Sequence, residues 1–163
     1  MSDFGMELRV IDEQDRVIDT LPSEEVHRRG LLHRAMHAIV RNAVGQYYVR
    51  QRSPALALYP GVWTSSVGEH VFVDESYDDT AKRATREFLG LEVPLELVGK
   101  AHVHDAIENE LMAVYSAQAE RIPALNPEHS EAGEFMGLAE LERLLGEGRT
   151  TPHLRAAVEL LLG

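Results

Sequence analysis

The 163-residue chain contains no cysteine. Disulfides, zinc–thiolate centres and thiol nucleophiles are therefore excluded. No apolar run approaches the roughly 20 residues that a membrane span needs. The opening Met1-Ser2-Asp3-Phe4-Gly5 lacks the basic-then-apolar pattern of a secretory signal, so a cytoplasmic location is the expectation. Positive charge is scarce too: 16 basic residues face 27 acidic ones, for a formal net charge of −11. A nucleic-acid backbone is repelled on average by such a chain, although a local basic patch still suits a small anionic ligand. There is no internal repeat and no low-complexity linker. A hydrophobic share of 44% supports a packed core, and the length suits one domain over residues 1–163.

The apolar pattern lays out the elements. Glu7–Ile11, Asp12–Asp15 and Arg16–Ile18 read as strand, turn, strand. Residues 19–32 are polar and read as irregular. His33–Val40 and Gln46–Arg50 are strands around a turn at Asn42–Gly45. Pro54 and Pro60 bracket a loop, and Val62–Val67 reads as one more strand. The clearest helix is Tyr77–Leu89: Ser76 caps it, Asp79 stands at capping-box spacing, and Gly90 closes it. Ala81, Thr85 and Leu89 recur at helical spacing and should face the core. Strands are expected at Leu95–Val103, Glu110–Ser116 and Glu134–Leu138, and helices at Ala139–Leu145 and Pro152–Leu162. The last of these packs on the sheet, or against a second subunit in a homodimer. Strands, one central helix, more strands and closing helices make an α+β fold with a mixed sheet, not a doubly wound βαβ series.

The residues that carry chemistry are histidines and glutamates. In Glu108-Asn109-Glu110 the period of a strand puts both carboxylates on one face. Two carboxylates so close repel unless a proton or cation sits between them, although a solvated strand edge is the plainer reading of the pair alone. His27 and His33 flank Gly30, His37 shares a strand face with His33, and His70 follows Gly68-Glu69. Imidazoles with carboxylates suit zinc, manganese or iron. Each piece is weak evidence by itself.

Together, the blocks Leu32-His33, Tyr59-Pro60-Gly61-Val62-Trp63-Thr64-Ser65-Ser66-Val67, His70 and Glu108-Asn109-Glu110 resemble the type I isopentenyl-diphosphate isomerases. The resemblance spans roughly residues 7–145, is strongest over 27–116, and points to the Nudix superfamily and its α/β/α sandwich. It implies a divalent metal, with magnesium as a further option, on His27, His33, His70, Glu108 and Glu110. It also implies that Glu110 is the acid that protonates an alkene. Arg50, Arg52, Trp63, Arg83 and Glu87 are the candidate contacts to a small-molecule substrate.

The departures are selective. The position of the isomerases' cysteine base is Gly68, that of the helix glutamate for a second, diphosphate-bound magnesium is Phe88, and the diphosphate-gripping lysines fall near Leu56 and Ala57. A shielding aromatic is replaced by His153 in Thr151-Pro152-His153. The hydrolase helix motif reads Arg83-Ala84-Thr85-Arg86-Glu87-Phe88-Leu89-Gly90-Leu91, leaving one carboxylate on a face that in hydrolases carries three for magnesium. Three readings stay open. One is acid-initiated proton transfer on an unsaturated, isoprenoid-type substrate, with Glu69, His104, water or an internal nucleophile completing the reaction. The second is hydrolysis of a nucleoside diphosphate-type compound with magnesium held by Glu87 and Glu108 or Glu110. The third is a non-catalytic binding module.

Overall fold

The computed structural model describes residues 5–163; Met1–Phe4, most of the stretch read for a signal, lie outside them. In chain order the elements are β1 (Glu7–Ile11), β2 (Val17–Pro22), α1 (Ser23–Arg29), β3 (His33–Arg41), β4 (Tyr47–Arg52), β5 (Trp63–Thr64), β6 (Val67–His70), α2 (Tyr77–Leu89), β7 (Glu96–His104), β8 (Asn109–Gln118), β9 (Ser130–Met136), α3 (Leu138–Gly146) and α4 (Pro152–Leu162).

β3 is the hub of a mixed sheet. It runs parallel to β8 from His33↔Glu110 to Arg41↔Gln118 and antiparallel to β6 from Ala35↔His70 to Ala38↔Val67. It also touches β1 and β4, which carry the outer strands β2, β5 and β9. Alternation along β3 and β8 splits the core in two. Met36, Ala38, Val40, Ala113 and Tyr115 pack with Ala81, Ala84 and Phe88 of α2. Ile39, Met112 and Val114 pack with Leu141 of α3 and Leu154 of α4 on the opposite face. His33 and His37 therefore share the α3–α4 face with Glu110.

α2 forms as the sequence requires. Ser76 Oγ accepts the Asp79 N–H, Asp79 returns the bond to Ser76 N, and Gly90 adopts φ 69°. Ala81, Thr85 and Leu89 are buried. Most expected elements shift by one or two residues at their ends, and three regions differ more. Residues 19–32 are not irregular: β2 runs on to Pro22 and α1 follows. That helix carries one buried apolar residue, Val26, so it has no hydrophobic period; its acidic first turn, basic last turn and left-handed Gly30 hold it instead. Val62–Val67 is two strands, because Ser65 and Ser66 are fully buried between them. Ser66 Oγ accepts the Val40 N–H and donates to Tyr48 O, replacing ladder bonds. The expected strand Glu134–Leu138 begins earlier, at Ser130, and Leu138 already starts α3. Gly133 sits against the Tyr48 hydroxyl where a side chain has no room, so this strand lacks the apolar alternation that marks others.

Candidate metal centre and adjoining cavity

Three imidazoles and two carboxylates converge where β3 begins. Register brings His33 beside Glu110 and His70 beside Ala35, two residues along. Glu108 is set by the turn before β8, where Asp105 Oδ1 accepts the N–H groups of Ile107 and Glu108 at 2.8 Å each. His27 arrives from the last turn of α1. The ring centroids of His27, His33 and His70 form a near-equilateral triangle with sides of 5.1, 5.0 and 5.1 Å. One ligand atom each from these histidines and Glu108 lies within 4.8 Å of the others. Glu110 Oε2 is 3.0 Å from His70 Nε2 and 3.5 Å from His33 Nε2.

Hydrogen bonding fixes what two of the rings present. His27 Nδ1–H donates to Ser23 O and His33 Nδ1–H to Leu31 O, both at 2.9 Å. A carbonyl only accepts, so each Nδ1 keeps its proton. In the neutral ring Nε2 then holds a lone pair, and that lone pair faces carboxylate. His27 Nε2 lies 2.8 Å from Glu108 Oε1, and His33 Nε2 is buried with no hydrogen-bond partner among the described residues. Either extra protons or one central cation must resolve this repulsion. In the metal-free site burial opposes charge on His33, but Glu108 and Glu110 outweigh it and raise the ring to about 9. Burial and Glu110 push Glu108 up, while His70, His27 and His33 prevail and hold it below the carboxylate range. Convergent imidazole Nε2 atoms beside two carboxylates, with the Nδ1 atoms of His27 and His33 tied to backbone carbonyls, make a group that could hold a divalent metal ion. Magnesium, which prefers oxygen, suits this set less well.

Glu110 also faces away from the histidine triangle. Its Oε1 is 2.5 Å from His153 Nε2, at the start of α4. Burial favours a neutral Glu110, but the charge and hydrogen bond of His153, with the nearby imidazoles of His33 and His70, hold it well below its ordinary range. His153 stacks on His37 at 4.7 Å and 8° and meets Tyr59 edge-on. These groups line a cavity of about 350 Å³ with Arg52, Leu56, Leu58, Phe88 and His129.

The other expected contacts divide. Arg52 and Glu69 line the cavity. Arg52 Nε donates to Leu58 O at 2.9 Å and to Tyr59 O at 3.2 Å. Burial raises the Glu69 carboxyl despite its neighbours His70 and Arg83. Arg50 is fully buried beneath the wall, its Nε donating to Ser66 O at 2.9 Å and its guanidinium 4.7 Å from the Phe88 ring. It supports Phe88 and does not line the cavity. Trp63 packs into the α3–α4 core, and its carbonyl accepts the Thr151 N–H, which places His153. Arg83 is held by Glu75 at 2.6 Å and Glu87 at 3.1 Å, outside the cavity lining. His104 is exposed at the end of β7, stacked on His102. Its placement leaves it outside the cavity, and His104→Ala should leave both metal content and turnover within twofold of the wild type, read by elemental analysis and steady-state kinetics.

His37 and His153 are only weakly marked in the sequence. Strand alternation put His37 on the His33 face, and the Thr-Pro pair flagged His153. Nothing local reveals that His153 meets Glu110, because that contact joins residues 43 apart in sequence.

The NUDIX domain model matches residues 31–156. The chain belongs to the Nudix family. It is 30% identical to an uncharacterised Nudix hydrolase of Pseudomonas aeruginosa, over 93% of this chain and 88% of that one. It is 32% identical to an isopentenyl-diphosphate Delta-isomerase of Clavibacter michiganensis, over 88% of this chain and 76% of that one. The crystal structure of DR0079 from Deinococcus radiodurans superposes with a TM-score of 0.78 at 23% identity, covering 94% of this chain and 96% of its own, which shows the α+β Nudix sandwich. Hydrolases and isomerases thus stand side by side among its relatives, and no helix of the described residues is long and apolar enough to cross a membrane.

Proposed function

We propose that residues 1–163 act as one metal-dependent enzyme that transfers protons to and from an unsaturated small-molecule substrate. One observation carries this reading. Glu110 divides its two oxygens between the histidine triangle and His153 at the cavity wall, while the α2 face that serves hydrolases presents Ala84 and Phe88.

His27, His33, His70, Glu108 and Glu110 would hold the divalent cation, whose charge would offset the two carboxylates and polarise what lies beside them. Glu110 Oε1 and His153 Nε2 share one proton at 2.5 Å. That proton is the one delivered to a substrate double bond, with Glu110 kept in place through its other oxygen. Leu56, Leu58 and Phe88 supply apolar walls, and Arg52 is the lining's one arginine or lysine among the described residues, suited to an anionic end group. A volume of about 350 Å³ fits a small ligand. Incubation of metal-loaded protein with isopentenyl diphosphate and longer prenyl diphosphates in deuterated water should place deuterium on carbon. Absence of label from all of them would count decisively against the proposal.

A second reading, hydrolysis of a nucleoside diphosphate-type substrate, has its own support. Glu69, Glu75 and Glu87 gather around Arg83 at the margin of the site, within 2.6 to 3.5 Å. Arg83 occupies the middle of that group, where a magnesium ion would have to sit. Phosphate release across a nucleotide panel with magnesium or manganese would favour it over proton transfer.

A further inference from the structure

Gly68 is a gap with a definite occupant. A Cβ built on it would lie 2.5 Å from His37 Cε1, 2.8 Å from Nε2 and 3.0 Å from Nδ1. The imidazole from the adjacent strand fills the volume in which a side chain at position 68 would stand. The β3–β6 register makes this possible by setting His37 directly opposite Gly68. Both residues line the cavity.

We propose that His37 is the group that removes a proton from the substrate, working beside the Glu110–His153 pair that delivers one. This rests on the proton-transfer reading above. Three features of the geometry support it. His37 stands next to the donor pair, stacked on His153 with centroids 4.7 Å apart. Its Nδ1 lies 2.8 Å from Ser65 Oγ, a fully buried hydroxyl able to accept Nδ1–H and leave the Nε2 lone pair for the cavity. No Lys or Arg pairs with it, and no carboxylate hydrogen-bonds it, among the described residues.

The proton balance closes without a co-reactant. The Glu110–His153 pair gives one proton to an alkene carbon, and the π electrons form the new C–H bond. The neighbouring carbon becomes cationic. His37 Nε2 then takes a proton from the carbon beyond it, and those C–H electrons form the shifted double bond. The substrate leaves as an isomer of the same formula. His37 then carries the proton that the pair has lost, and exchange through water in the cavity resets both.

The test follows deuterium uptake into isopentenyl and longer prenyl diphosphates by metal-loaded wild type, His37→Gln, His37→Ala and the double variant His37→Ala/Gly68→Cys. The expected result is a fall of roughly 100-fold or more in both single variants, at unchanged metal content. Partial recovery is expected in the double variant, whose thiol enters the volume the imidazole vacates. Nitrogen-15 spectra of the zinc-loaded wild type provide a readout that needs no substrate. They should show His37 as the Nδ1–H tautomer, with Nε2 bare. Label in the wild type with His37→Gln within threefold of it overturns the role of His37 and leaves the proton-transfer reading standing. So does an Nε2–H tautomer. No label in the wild type from any of these compounds overturns both.

Discussion

Glu110→Gln should lower turnover by about three orders of magnitude, in the middle of the range for loss of a proton-transferring group, with little change in KM. Glutamine has nearly the same volume, so the fully packed end of β8 has no cavity to collapse into. Its amide oxygen can still face His33 and His70, where Glu110 Oε2 now lies 3.5 and 3.0 Å away. The amide nitrogen then replaces Oε1 beside His153 and can only donate. The short contact through which the proposed proton would pass, 2.5 Å from Oε1 to His153 Nε2, is lost while the apolar walls and Arg52 remain. The effect therefore belongs in kcat, because an interaction made only as the proton moves has gone while ground-state contacts persist. His27, His33, His70 and Glu108 keep their grouping within 4.8 Å, so metal should be retained near one equivalent. A variant with a tenth or more of wild-type turnover at full metal content would remove Glu110 from the proton path. Loss of metal together with turnover would show instead that Glu110 acts chiefly as a ligand.

The sequence made the frame of this site legible and hid its inner wall. β3, α2 and α4 announce themselves through a largely apolar run, a capping box, and a Thr-Pro start. The period of two in Glu108-Asn109-Glu110 correctly turns the carboxylates inward, while Asn109 points away to the Gly30 carbonyl. α1 was invisible because a seven-residue helix with one buried apolar side chain has no periodicity to detect. His27 consequently reads as a loop residue, although its place in the histidine triangle depends on that helix. Arg50 and Arg52 look equivalent in sequence, two apart on one strand, yet Arg50 lies under Phe88 and Arg52 lines the cavity, with a shift in the β4–β9 register between Gln51 and Arg52. The conversion of Gly68 from an apparent loss into room for His37 depends on the pairing of β3 with β6. Such a pairing is set by the curl of the whole sheet and leaves no local trace.

Metal should reverse the sign of the protein's pH dependence, and His33 is the residue that makes the reversal measurable. In the chelator-treated protein the folded state raises His33 from 6.5 to about 9. A group raised on folding contributes stability that is complete below its unfolded value and disappears as pH rises through the folded one. Thermal stability of the metal-free protein should thus fall between about pH 6.5 and 9. The physical reason is that deprotonation returns the Nε2 lone pair to face Glu108 and Glu110 across 3.4 and 3.5 Å. With a cation in the triangle, deprotonation is what binding requires, so affinity and the stability linked to it increase with pH until the ligands are all neutral. Binding at a thousand times Kd adds about 4 kcal/mol, enough to dominate the melting curve. His33→Ala should abolish stoichiometric metal and, in the metal-free form, flatten the decline between pH 6.5 and 9. Melting temperatures of wild type and His33→Ala, with zinc or manganese and with chelator across that range, provide the check. Parallel curves with and without metal would mean that the three histidines do not converge on a cation.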